Sequence, residues 1–175
     1  EDLFLFMEDD FALLNTGNKT FTQLRTEAQK AAEKKYALKS NVTLEKIYDI
    51  FTKMSGITPA GREKLFNREC DLIHHFAFAR HTGKLLFDKA KDCKNKIIIT
   101  SESIYPRDVI VKILCDCGYG EYDSLIIPAE QNIPDSAATA YIGTVIKKSG
   151  VEASNILHIG SDLSNDVEAP ILKGM

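Results

Sequence analysis

The sequence predicts an α/β protein, with a helical first half leading into a parallel three-layer sheet. Three observations carry that reading. Apolar residues recur at helical spacing from Leu3 to Ala79, with no strand signal between them. From Lys96 onward, short β-rich runs (Ile97–Ile99, Ser124–Ile127 and Ile156–Ile159) alternate with helix-like stretches. The connections between them are short, which implies right-handed crossovers and strands running in one direction. The expected division is a helical subdomain over residues 1–95 and an α/β core over 96–175.

Taken in order, Phe4, Met7, Phe11 and Leu14 make a helical stripe with Glu8, Asp9 and Asp10 between them. After a turn-rich break at Asn15 to Lys19, Thr20 or Thr22 can cap a helix running to about Leu38. Leu24, Ala28, Ala31 and Ala32 would face inward, with Arg25, Glu27 and Lys30 on a charged face. Thr43 opens the next helix, with Glu45 in its first turn and Ser55-Gly56 at its end. Thr58-Pro59 starts another, reaching about Ala79. Residues 84–92 form one more. Helices packed in this way suit a lid or cap, or a self-contained interaction module. In the second half, Pro106 opens a helix closed by Gly118. A long polar loop to Asp135 precedes a helix over Ser136–Ser149, and Val167–Lys173 forms the last.

Composition narrows the function classes. The 175 residues are 44% hydrophobic, enough for one sizeable core. A net charge of −3 offers no basic footprint for nucleic acid. The apolar runs are far too short to cross a bilayer. Glu1 and Asp2 stand where a signal peptide would be positively charged. Cys70, Cys93, Cys115 and Cys117 lack metal-ligand spacing and are expected to be buried or inert thiols. The implied setting is soluble, reducing and cytoplasmic, with no nucleic-acid or membrane partner. The start at a residue other than Met and the stop at Gly174-Met175 are read as marks of a fragment of a longer protein.

The chemistry is expected at two strand ends. Ile156, Leu157 and Ile159 read as a buried strand that breaks at Gly160 into a loop bearing Ser161, Asp162, Ser164, Asn165 and Asp166. Ligands bind at the carboxyl edge of parallel sheets. Asp162 and Asp166 are plausible oxygen ligands there for a hard cation such as Mg²⁺. The alternative is structural: Asp166 caps the following helix and Asp162 is a solvated turn residue. Thr100 and Ser101 end the first strand with hydroxyls suited to a phosphoryl oxygen, with Glu102 beside them. The alternative again is a plain cap. His158 is expected to be a packed residue rather than a proton shuttle. His74 and His75 point about 100° apart on a helix and are poorly placed to share a metal.

The segment Ile98-Ile99-Thr100-Ser101-Glu102-Ser103, followed after two crossovers by His158-Ile159-Gly160-Ser161-Asp162-Leu163-Ser164-Asn165-Asp166, resembles motifs two and four of the haloacid dehalogenase (HAD) superfamily. The nearer likeness is to HAD-like hydrolase domains associated with glycosyltransferases, whose helical cap is similar to Phe21–Ala28 and Val42–Tyr48 here. The resemblance implies a HAD-like Rossmannoid core behind an N-terminal helical cap. It implies a Mg²⁺-dependent phosphatase acting on a small phosphorylated metabolite or sugar. Ser101 would bind the phosphoryl group, with Thr100, Glu102 and Ser136 near the substrate and Asp162 and Asp166 at the metal. A glycosyltransferase domain in the same parent chain is the implied partner.

The sequence departs from that pattern in three places. The Asp-x-Asp strand that would carry the nucleophile either lies upstream of Glu1 or survives in degenerate form at Glu8 to Asp10. No Lys or Arg occurs between Lys112 and Lys147, and Ser136 stands near where the family has its basic residue. Ser161 occupies the usual place of the first Asp in motif four, with Asp162 shifted by one. The expectation is therefore a chain with little or no turnover of its own. The rival is a catalytically retired domain that binds or scaffolds beside a glycosyltransferase.

Overall fold

The computed structural model describes residues 2–14, 17–36, 42–131 and 138–175. Two short helices open it, α1 (Asp2–Leu5) and α2 (Glu8–Ala12). Four longer ones follow: α3 (Phe21–Tyr36), α4 (Leu44–Ser55), α5 (Pro59–Phe76) and α6 (His81–Asp92). The second half runs β1 (Ile98–Thr100), α7 (Arg107–Asp116), β2 (Ser124–Ile126), α8 (Pro128–Gln131), α9 (Ala138–Ser149) and α10 (Ala169–Leu172). A 3₁₀ turn at Ala153–Asn155 and a π-type turn at Leu163–Glu168 lie between α9 and α10.

The helix ends follow from side chains that satisfy otherwise orphaned N–H groups. Thr20 and Gln23 form a reciprocal capping box: Thr20 Oγ1 accepts the Gln23 N–H at 3.2 Å, and Gln23 Oε1 accepts the Thr20 N–H at 3.1 Å. Glu8 adds a second layer, accepting from the N–H groups of Phe21 and Thr22 at 2.7 and 2.9 Å. Thr43 caps α4 through the Lys46 N–H, and Thr58 caps α5 through the Gly61 N–H, with Pro59 in the first turn. Gly56 ends α4 at φ 71°, a left-handed geometry that a side chain would disfavour.

The helical half packs around Met7, Phe11, Phe21, Leu44, Ile47 and Phe51, all nearly or fully buried. The rings of Phe11, Phe21 and Phe51 meet pairwise at centroid separations of 5.3 to 5.7 Å, mutually tilted or edge-on. Arg25 departs from the charged face expected for it. Arg25 is 1% exposed and lies inside, where Glu69 of α5, itself fully buried, takes its guanidinium in a two-pronged ion pair at 2.8 and 3.0 Å. A charge placed so deep is held only because it is paired and hydrogen-bonded. The single N-terminal helix expected over residues 3–14 is broken in two around Met7, which points into the core.

Among the described residues, the predicted three-layer Rossmannoid α/β sheet is not formed. The structure is mostly helical, and its sheet is a two-stranded parallel ribbon, β1 beside β2, with Ile99 opposite Leu125. Residues 156–159 start with extended geometry (Ile156 φ −109°, ψ 126°), yet they join no ladder among the described residues. Their outward side chains are bare, Leu157 at 83% and Ile159 at 56% exposed. A short apolar run bounded by a glycine favours an extended backbone; a strand also needs a neighbour within hydrogen-bonding reach, and that is a non-local condition. On one side of the ribbon, Ile126 and Ile98 pack with Tyr141, Ile142 and Val145 of α9 and Ala169 of α10. On the other, Leu125 and Ile99 pack with Ile110 and Leu114 of α7. No helix among the described residues is long and apolar enough to cross a membrane.

Candidate functional site

Tyr141 on α9 packs with Ile98 of β1, Ile126 of β2 and Ala169 of α10. The Thr100 side chain is hydrogen-bonded to the Tyr141 hydroxyl, while Glu102 and Asp166 lie close enough for their charges to act on it. Burial, reinforced by those two carboxylates and offset only in part by Thr100, pushes the Tyr141 phenol up to about 12. It is therefore a neutral hydroxyl at pH 7. Tyr141 carries no sequence signal of a site, because an aromatic at helical spacing reads as core, and it does pack there.

The Asp166 carboxylate organises the turn. Its Oδ2 accepts the N–H groups of Ser161 and Asp162 at 2.7 and 2.9 Å, and its Oδ1 meets His158 Nε2 at 2.8 Å. Burial works against its charge, but the His158 bond and the two backbone N–H groups outweigh that, leaving the carboxyl below its ordinary range. An ionised carboxylate only accepts, so Nε2 is the protonated nitrogen of His158. His158 is packed and partnered, as expected for a structural histidine. Asp162 caps the π-type turn, its Oδ1 accepting the Asn165 N–H at 2.7 Å.

Of the residues singled out in the sequence, Thr100, Glu102 and Asp166 act electrostatically on the Tyr141 hydroxyl. Ser101 donates its own N–H to the Ile126 carbonyl at 3.0 Å, and its Oγ accepts the Ser103 N–H at 3.4 Å. Ser136 lies outside the described residues. Glu8, offered as a degenerate nucleophile position, sits on a helix and is spent on the start of α3, while Asp10 pairs with Lys64 at 3.0 Å. Arg107 is taken by Glu130, with Nε to Oε1 at 3.0 Å. His74 pairs with Asp116 at 2.6 Å, and His75 packs edge-on against Phe76. Cys70 is buried, and desolvation followed by the nearby Glu69 charge pushes its thiol up to about 12. Cys93 and Cys115 are exposed rather than buried.

Among the described residues, no three His, Cys, Asp or Glu side chains are grouped to hold a metal ion. The oxygens of Asp162 and Asp166 that the turn uses face N–H donors, which a cation would have to displace. Mg²⁺ commonly takes one or two protein carboxylates and fills its octahedral shell with water and substrate oxygens; here the turn's own N–H groups compete for both carboxylates. No family model and no curated protein matches the sequence.

Proposed function

We propose that this chain is the cap and phosphoryl-handling portion of a HAD-like phosphohydrolase that, in the intact parent, acts on a small phosphorylated metabolite or sugar. The observation that supports it most is the packing of Tyr141 against β1 and α10, where Thr100 and the charges of Glu102 and Asp166 act on its hydroxyl. The Thr100 and Ser101 hydroxyls and the neutral Tyr141 phenol are donors of the kind that hold phosphoryl oxygens. The nucleophile is missing from this set. The Asp-x-Asp pattern that the resemblance calls for is not among these residues, and little or no turnover is expected of this chain. Magnesium in the parent would need oxygen donors beyond Asp162 and Asp166.

A second reading is favoured by the Asp166 hydrogen bonds. Its carboxylate is used to shape a turn, as in a retired domain that binds or scaffolds beside a glycosyltransferase. One pair of measurements separates the two. The first is hydrolysis of a chromogenic phosphate ester with Mg²⁺, where no turnover is expected. The second is titration with inorganic phosphate, where the first reading expects NMR shifts confined to Thr100, Ser101 and Tyr141. Absence of those shifts selects the scaffold. Hydrolysis abolished by Asp166→Ala would overturn the inactivity.

A further inference from the structure

The segment that follows β1 is fastened to the helical half at two polar points. The Ile104 carbonyl accepts the N–H of Leu44, the first residue of α4, at 2.7 Å. The Tyr105 hydroxyl reaches Glu69 Oε1 at 3.3 Å. A carboxylate has about four lone-pair positions, and the other donors to Glu69 are already in place. They are Arg25 Nε at 3.0 Å and the Tyr48 hydroxyl at 2.8 Å on Oε2, and Arg25 Nη2 at 2.8 Å on Oε1. Tyr105 supplies the fourth, and it alone comes from outside the helical half. From Tyr105 the connection runs back along the chain. Its N–H donates to Ser103 Oγ at 3.2 Å, and the Ser103 N–H donates to Ser101 Oγ at 3.4 Å.

We propose that Tyr105 is a positioning residue through which the buried Arg25–Glu69 pair of the helical half sets the shape of the Ser101–Tyr105 turn, and with it the direction of the Ser101 hydroxyl. The three links form one chain: buried carboxylate to phenol, backbone N–H to Ser103, backbone N–H to Ser101. Side-chain-to-backbone bonds spaced two residues apart give such a turn a defined conformation only while its far end is held. Glu69 holds it because both the carboxylate and its guanidinium partner are shut away from water, and the guanidinium is fixed further by Gln29, whose Oε1 accepts from Arg25 Nη1 at 3.1 Å. The inference concerns the shape of the turn and does not rest on the phosphohydrolase reading.

Amide hydrogen exchange on the whole chain, comparing Tyr105→Phe with Tyr48→Phe, tests it. Tyr105→Phe keeps the ring and removes the link. The Ser103 and Tyr105 amides should exchange at least tenfold faster, with α9 unchanged. Tyr48→Phe strips a donor from the same carboxylate without touching the turn, and should leave those two amides as they are. Unchanged exchange in Tyr105→Phe would overturn the proposal. So would equal loosening by both variants, which would mark a general loss of stability. Failure of Tyr105→Phe to fold would also count against it, since a positioning bond at the rim is not a requirement of the fold.

Discussion

A Cβ built on Gly160 would lie 2.0 Å from Cγ of Asp166. The carboxylate that gathers the N–H groups of Ser161 and Asp162 thus rests directly over the glycine backbone, and the turn closes only because residue 160 has no side chain. Gly160→Ala is expected to push Asp166 away and break these charge-assisted bonds, at a cost of about 2 kcal/mol. Faster exchange of the Ser161 and Asp162 amides, with β2 unaffected, is the expected signature. A turn that tolerates alanine without that change would contradict the geometry.

Acid should loosen two places at once. The carboxyls of Asp166 and Glu8 are both held below their ordinary range, in each case because hydrogen bonds outweigh the opposing burial. A depressed carboxyl stabilises the fold above its unfolded value, about 4, and that contribution is lost as pH falls through the folded value. Exchange at Phe21 and Thr22, and at Ser161 and Asp162, should therefore accelerate below pH about 4. Glu8→Gln should blunt the effect at the first pair and leave the second intact.

The Arg25–Glu69 pair is expected to tolerate loss of both charges far better than loss of one. Glu69→Ala leaves a buried guanidinium unpaired and should cost about 3–5 kcal/mol. Arg25→Met combined with Glu69→Leu should restore much of that in a urea melt. A double variant as unstable as Glu69→Ala would show that the interior needs the charges themselves.

Thr43→Ala removes the oxygen that takes the Lys46 N–H and should lower stability by about 1 kcal/mol. The Ile104 carbonyl still holds the Leu44 N–H in that variant, so α4 should fray by one turn rather than unravel. Circular dichroism melts of the variant and the parent chain measure the difference.

What could be read from the sequence was what short stretches determine. Thr43, Thr58, Pro59 and Gly56 mark helix ends by their own chemistry, and each sits where that chemistry places it. Leu24, Ala28 and Ala32 turn inward as their spacing requires. Arg25 misleads because its partner is 44 residues away, so nothing local distinguishes it from a solvated face. Ile156–Ile159 misleads for the same kind of reason, since an apolar run is a local feature while strand pairing is not. At the turn, the structural alternative assigned the cap to Asp166 and left Asp162 solvated, whereas it is Asp162 that caps, through the Asn165 N–H. The hold of Asp166 on His158 and two backbone N–H groups depends on a fold-back that spacing alone does not reveal.

The bond between Leu44 and Ile104 has a practical consequence for anyone dissecting the molecule. Cutting the polypeptide near residue 95 leaves the opening amide of α4 without its acceptor and Glu69 short of one donor. The excised helical piece would carry two fresh polar defects at its seam. Its own melting would then understate how firmly those helices are held in the uncut protein.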